Sequence, residues 1–319
     1  MIPAAIIKIG SKMTTRDEAA ARFQGVMATP VTPFRDDYSL DVDAVESNAA
    51  RLVGDGAAGL VVCGSIGELP TLTADEWEAV VARSIAAGGP AVPVFATVAH
   101  TDMRVVRRMV ERAAELGVSG VVIVPPFYYA ISDAEIYGFY REVDAGGVPF
   151  IVYNHPGTGR PEIGVSVLKE IAGLDHFAGL KEATENGVEY LAKRTLLKGR
   201  ANILSAAESV LFFMAAAGTD GCLTAVSTFA PSFLKGLLAA FDAGDLKGAR
   251  AINTRLMAFR DIVHHQAAEG RTAYLTVSKA AVEIAGLRAG PPRPPIAPLS
   301  AGARRQLAIV LRDELGITR

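Results

Sequence analysis

Three short segments carry residue types that could act together on a carbonyl compound. The first ends in Lys181, which closes the apolar run Phe177-Ala-Gly-Leu-Lys181. A lysine directly after a buried strand is costly unless paired or used, and partial burial favours the neutral amine, a nucleophile toward carbonyls. The alternative is a side chain that snorkels to solvent and pairs with Glu182 or Glu185. The second ends in Tyr153, which closes Pro149-Phe-Ile-Val-Tyr153 ahead of Asn154-His155-Pro156-Gly157. Its phenol could shuttle a proton to a carbinolamine or a leaving hydroxyl. It could equally be an aromatic cap on a core, with its hydroxyl in water. The third is Gly64-Ser65-Ile66-Gly67-Glu68, where two glycines and a hydroxyl residue let backbone N–H groups approach a carboxylate. Together an amine, a phenol and a carboxylate cradle are what a 2-oxo acid needs for imine chemistry. The protonated imine then serves as the electron sink for a carbanion at C3.

Such groups must converge on one rim, and the rest of the chain supplies one. Short apolar runs rich in Val and Ile recur at Gly25–Thr29, Gly59–Cys63, Val92–Thr97, Gly120–Val124, Phe150–Tyr153, Ala178–Lys181, Ile203–Ser205 and Gly221–Ala225. Amphipathic stretches alternate with them at Val42–Leu52, Ala74–Ile85, Met103–Leu116, Asp133–Glu142, Val165–Ile171, Gly187–Leu197 and Ser209–Ala217. Continuous apolar strands imply parallel strands buried on both faces, and eight βα units in a row imply a closed (β/α)₈ barrel. An open doubly wound sheet is the alternative, but no GxGxxG turn follows the first strand. Reacting groups in such a barrel sit at the C-terminal ends of strands, where Lys181, Tyr153 and the Gly64 loop all lie. Thr73-Ala-Asp-Glu76 reads as a capping box, and Ser132 or Asp133 as the cap of the helix after strand four. We expect residues 1–20 to be a tail or arm, 21–242 the barrel, and 243–319 a helical appendage packed on it. The appendage has helices near Asp245–His264, Thr272–Ala285 and Ala301–Glu314, and Pro291–Pro298 connects the last two.

Composition narrows the function classes. Half of the 319 residues are hydrophobic and 21% are charged, so a large core is expected. A net charge of -2 leaves no electrostatic footprint for nucleic acid or a membrane surface. Cys63 and Cys222 each end an apolar run and read as buried packing residues. No CxxC or HExxH pattern suggests a metal, and no apolar run is long enough to span a bilayer, so a cytoplasmic protein is expected.

The chain resembles the dihydrodipicolinate synthase/N-acetylneuraminate lyase family over about residues 23–316. Gly64-Ser-Ile-Gly-Glu68 is similar to its G-[ST]-[ST]-G-E loop, Pro126-Phe-Tyr-Tyr129 to its PFYY segment, and Tyr153-Asn-His-Pro-Gly157 to its Y-N-x-P motif. Gly179-Leu-Lys-Glu-Ala-Thr184 resembles the motif that carries the Schiff-base lysine, 28 residues after the tyrosine, and Gly218-Thr-Asp-Gly221 resembles the strand-eight turn. The resemblance implies a class I aldolase-type lyase for pyruvate or a longer 2-oxo acid, without metal or organic cofactor. It also implies a homotetramer built as a dimer of dimers, in which Tyr128 matches the tyrosine that a neighbouring subunit lends to the proton relay. The departures bear on substrate. Ile66 stands where a second threonine is usual, which breaks the relay hydroxyl. Thr158 stands where the synthases carry an arginine for the second substrate's carboxylate, and Arg160 is out of register by two. Ala206 replaces a usual glycine and Ala207 an acidic residue of the sialate lyases, while Glu208 remains. His155, in place of a small apolar residue, is either a branch-specific acid/base or a structural hydrogen-bonder. These changes favour an aldolase, dehydratase or hydratase-aldolase for shorter or less polar 2-oxo acids. Competing readings are a dihydrodipicolinate synthase with an altered pocket, a catalytically silent 2-oxo acid sensor, and a phosphate-binding barrel.

Overall fold

The computed structural model describes residues 14–156, 161–267 and 273–318. Eight parallel strands follow one another around a closed barrel: β1 (Gly25–Ala28), β2 (Gly59–Val62), β3 (Val94–Val98), β4 (Gly120–Ile123), β5 (Phe150–Asn154), β6 (Phe177–Glu182), β7 (Asn202–Ser205) and β8 (Gly221–Cys222). Strand β8 pairs back onto β1, with Gly25 opposite Gly221 and Val26 opposite Cys222. The strand expected at Gly221–Ala225 is shorter because the chain winds into a 3-10 turn at Ala225–Thr228.

Helix α1 (Arg16–Arg22) precedes the barrel, and α2 (Val42–Gly54), α3 (Ala74–Gly88), α4 (Met103–Leu116), α5 (Asp133–Asp144), α6 (Val165–Ile171), α7 (Gly187–Leu197) and α8 (Leu211–Ala216) lie between the strands. Then come α9 (Pro231–Asp242), α10 (Leu246–Ala267), α11 (Ala273–Ile284) and α12 (Ala301–Asp313). Thr73 and Ser132 each close a capping box, with Glu76 and Glu135. Among the described residues no helix is long and apolar enough to cross a membrane.

Alternation along the strands splits the core in two. Met27, Val61, Phe95, Val122, Ile151, Leu204 and Leu223 fill the barrel interior. Their neighbours, such as Val26, Leu60, Ala96, Val121 and Val152, join the larger layer between sheet and helices. Helix α1 serves the inner core. Thr15 caps it with a capping box, and Arg16 donates through Nε to Phe177 O at 2.8 Å. Its cap residue Phe23 then enters the barrel and meets Phe95 edge-on at 5.3 Å. Residues 14–22 are thus a plug on the barrel floor. Seven helical residues that bury one alanine carry too little periodicity to be read in advance.

One irregularity sets the geometry of the site. Phe150 pairs with Phe177, but the next residue, Ile151, pairs with Gly179, so Ala178 is an extra residue in β6. The bulge shifts the phase of everything after it. Phe177 and Leu180 belong to the outer layer, three residues apart, and Lys181 consequently turns into the barrel. Gly179 also faces inward, where a Cβ would come within 3.0 Å of both Phe23 and Ile151.

The β1–β8 seam is equally tight. A Cβ on Gly221 would lie 2.1 Å from Gly25 O. Gly221→Ala should therefore destabilise the chain by more than the roughly 1–3 kcal/mol of ordinary overpacking. Gly138→Ala, in α5 with open space around it, should be neutral or slightly stabilising. Denaturant unfolding of the two variants checks this, and equal midpoints would show that the seam yields.

Candidate active site

Tyr153 and Lys181 are direct partners across the β5–β6 ladder, at the C-terminal ends of both strands. They are 4% and 6% exposed, so neither snorkels to solvent. The lysine Nζ sits 3.8 Å from the centre of the Tyr153 ring. The carboxylate next door is committed elsewhere. Glu182 points to the outer face, where it accepts from Lys193 Nζ at 3.0 Å, Asn154 Nδ2 at 2.8 Å and the Thr184 N–H at 2.7 Å. Glu185, the other candidate partner, accepts from the Ser209 hydroxyl. Lys193 is fully buried on α7, and a buried pair of this kind typically loses about 3–5 kcal/mol when one partner is removed.

Asn154 extends this outer network to the following loop, since its Oδ1 accepts from the Ile163 N–H at 2.9 Å. The loop between them includes Gly157, Thr158 and Arg160, which lie outside the described residues. His155 precedes them, half-buried and edge-on to Tyr153 with ring centres 5.5 Å apart. The structure thus brings Lys181, Tyr153 and His155 together.

The Gly64–Glu68 loop leaves β2 through an unusual backbone. Cys63 and Glu68 both have φ 55°, a left-handed conformation rare outside glycine. The loop folds on itself through Glu68 N–H to Ser65 O at 3.3 Å and Leu69 N–H to Gly64 O at 3.4 Å. Gly67 packs tightly, and a Cβ there would press on the backbone of Gly64 at 3.0 Å and of Cys63 at 3.1 Å. The Thr32 hydroxyl donates to Gly67 O at 2.6 Å. Ser65 is exposed, whereas Ile66 is half-buried against the outer apolar layer. Glu68 is buried and holds Lys279 and the Arg293 N–H of the C-terminal appendage.

Tyr128 does not enter the barrel of its own chain. It is 76% exposed and packs edge-on against Tyr129, itself 70% exposed. Tyr128 helps to line a cavity of about 670 Å³, together with Leu72, Trp77, Ala99, Met109 and Phe127. Ala206 follows β7, next to β6, and donates its N–H to Glu182 O at 2.7 Å. Glu208, by contrast, is 1% exposed and accepts from the Val226 N–H at 3.2 Å. Burial pushes its carboxyl above the usual range, as it also does for the thiols of Cys63 and Cys222. Among the described residues no group of three or more His, Cys, Asp or Glu is placed to hold a metal.

Sequence reasoning missed Asn154, Lys193, Lys279 and Arg293 as supports of the site. Two of them carried a signal: Lys193 and Lys279 interrupt the apolar faces of α7 and α11, beside Tyr190 and Leu197 and among Val277, Ala280 and Val282.

The closed barrel is that of an aldolase-type enzyme, and Lys181 lies near the C-terminal end of its sixth strand. The chain belongs to the dihydrodipicolinate synthetase family, whose model matches residues 22–314. An uncharacterized DapA-like lyase of Halobacterium salinarum is 33% identical over 290 residues, covering 91% of this chain and 93% of that one. The 4-hydroxy-tetrahydrodipicolinate synthase of Acidiphilium cryptum is 30% identical over 286 residues, covering 89% and 96%. The crystal structure of a putative dihydrodipicolinate synthetase from Pseudomonas aeruginosa superposes with a TM-score of 0.85 at 28% identity, over 91% of this chain and 99% of that one. The protein is a lyase of the class I aldolase type.

The raised Glu208 carboxyl has a consequence for stability. Burial holds its folded-state pKa above the ordinary glutamate value of 4.5. The folded state therefore favours the protonated form, and the associated stability is complete below about pH 4.5 and is lost as pH rises through the folded value. Glu208→Gln, which stays neutral, should unfold at a higher temperature than the wild type near pH 8 and at a similar temperature near pH 4. Thermal melts across that range test this, and a constant difference between the two proteins would refute it.

Proposed function

We propose that the protein forms a Schiff base between Lys181 and a pyruvate-derived 2-oxo acid, and then cleaves a carbon–carbon bond or eliminates water. The observation that carries this reading is the buried amine of Lys181 over the Tyr153 ring, on the inner face of the barrel, with the neighbouring carboxylate held on the outer face by Lys193. The amine attacks the C2 carbonyl to give a carbinolamine, and loss of water gives the iminium ion. Tyr153 delivers the proton that the departing hydroxyl needs. The Gly64–Ser65 segment cradles the substrate carboxylate. The iminium then accepts the electron pair released by scission of the C3–C4 bond, or by removal of a C3 proton before a C4 hydroxyl leaves. Water returns the amine and frees the product. Such a cycle uses the imine where other enzymes use a Lewis acid.

Apolar exposure supports assembly as a dimer of dimers. One patch comprises Phe127, Tyr128 and Tyr129 beside the 670 Å³ cavity, and it suits the lending of Tyr128 to a second copy's relay. A separate patch comprises Val188 and Leu191 on α7 with Phe213 on α8, at 78%, 52% and 67% exposure. Two such surfaces on one chain suit two kinds of contact between copies.

Borohydride with pyruvate should add a covalent mass to the wild type and nothing to Lys181→Ala, read by intact mass. An equal adduct on both proteins would remove Lys181 from the mechanism. A wild type that is trapped but turns over no member of a 2-oxo acid panel would point to a sensor instead.

A second reading, 4-hydroxy-tetrahydrodipicolinate synthesis, is favoured by the activity for which the Acidiphilium relative is named. Ile66 and Thr158 weigh against it. Losing an arginine–carboxylate contact costs about 1.5–3 kcal/mol, or roughly 10- to 150-fold in binding. The missing relay hydroxyl costs further, since a positioned proton-transfer group contributes about 10²–10⁴-fold. Turnover of pyruvate with aspartate semialdehyde should therefore be feeble, and Thr158→Arg should raise it. A wild-type kcat/KM within about tenfold of the 10⁴–10⁸ M⁻¹s⁻¹ of ordinary enzymes would establish the synthase reading.

A further inference from the structure

We propose that the C-terminal appendage is part of the substrate-binding machinery. Lys279 on α11 and Arg293 in the connector after it act through Glu68 to hold the Gly64–Glu68 loop in the shape that receives the 2-oxo acid's carboxylate. The inference rests on the Schiff-base reading above, and it assigns to these two residues a positioning role in capturing substrate.

The loop cannot hold its shape unaided. Non-glycine residues with φ 55° stand at both of its ends, Cys63 and Glu68, and such conformations persist only where the surroundings over-determine them. The surroundings at Glu68 come from residues more than 200 positions away. Lys279 Nζ donates to Glu68 Oε1 at 2.5 Å and to Pro291 O at 3.0 Å. The Arg293 N–H donates to Glu68 Oε2 at 3.0 Å, so both carboxylate oxygens are held from the appendage. The side chains of this ion pair are 3% and 1% exposed, so water competes little for either partner.

The same two residues grip the elements on either side of the loop. The Phe34 ring, after β1, lies 4.5 Å from Lys279 Nζ and 4.1 Å from the Arg293 guanidinium carbon. The Phe34 N–H also donates to Ala289 O at 3.0 Å. The Arg293 guanidinium donates to Thr71 O at 2.6 Å, to Tyr38 O at 2.8 Å and to the Glu76 carboxylate at the start of α3. Thr71 in turn returns its N–H to Glu68 O at 2.8 Å and its hydroxyl to the same oxygen at 2.9 Å. The exit of the loop is therefore fixed from two directions by one lysine and one arginine. A cradle of backbone N–H groups selects a carboxylate by position alone, and a small change in the peptide planes of Ser65 and Ile66 would spoil it.

A purely structural pair would affect every reaction at Lys181 alike, whereas a carboxylate-positioning pair affects only substrates that carry a carboxylate. The test uses the full chain and follows borohydride trapping at the Lys181 peptide by mass, with pyruvate and with acetaldehyde, which has no carboxylate. In Lys279→Met the pyruvate concentration for half-maximal trapping should rise by about tenfold or more, the factor set by one charge-assisted hydrogen bond to a carboxylate. Acetaldehyde trapping at Lys181 should stay unchanged, and Lys279→Arg should restore much of the pyruvate response. If Lys279→Met does not fold, the double variant Glu68→Gln/Lys279→Met leaves neither charge buried and should show the same split. Parallel losses for pyruvate and acetaldehyde, or an unchanged pyruvate response, would overturn the inference while leaving the Schiff-base reading in place. A wild type that takes up no pyruvate would overturn both.

Discussion

A primary amine inside an apolar barrel depends on strand phase, and the rest of the site is arranged around that constraint. Side chains along β6 alternate between the interior and the helix-facing layer, so a shift of one residue would turn Lys181 toward α7 and bring Glu182 into the barrel. The extra residue at Ala178 prevents this. Phe177 and Leu180 both remain in the outer layer, and Lys181 faces Tyr153. The glycine after the bulge leaves room for Phe23, so the same irregularity also admits the plug on the barrel floor.

The second constraint is the cost of buried charge. Among the described residues two lysines besides Lys181 are buried, and each is paired with a carboxylate at or beyond the C-terminal end of a barrel strand: Lys193 with Glu182 and Lys279 with Glu68. Such pairs add little net stability over an apolar substitute, because desolvation offsets most of the attraction. They do impose geometry, since a buried carboxylate with several donors tolerates few alternative positions. Here both carboxylates accept from backbone N–H groups as well, of Thr184 and of Arg293, so charge placement becomes backbone placement. The barrel supplies rigid strand ends, and the charged pairs behind them carry that rigidity into the loops.

Much of this architecture could be read from the sequence. Helices α4, α6 and α7 begin and end where the amphipathic pattern does, and the capping box at Thr73 was visible in Glu76 three positions on, whereas the choice of Ser132 over Asp133 as the cap of α5 came from the structure. Strand positions followed because parallel strands buried on both faces are continuous apolar runs. Elements whose signal is not local were less legible. Helix α1 is short and buries its influence in one residue beyond its end, Phe23. Strand β8 has only two paired residues, because the tight seam at Gly221 and the turn at Ala225 leave no room for more. Glu68 belonged to a motif, but nothing near it in the chain marks its carboxylate as an anchor for the appendage rather than a group facing the substrate.

The amino-acid sequence by itself determined the number and order of the βα units, the strand ends that carry Lys181, Tyr153 and the Gly64 loop, and the membership that their motifs imply. Those properties are local, written in apolar periodicity and in residue type at fixed spacing. Only the tertiary structure decided which way Lys181 faces, which carboxylate each buried lysine neutralises, and that Tyr128 stands on the surface of its own chain. The direction of a side chain after a bulge is set by the neighbouring strand, and the partner of a buried charge is set by whichever distant helix packs against it. Neither the neighbour nor the helix is encoded in the residues around the group itself.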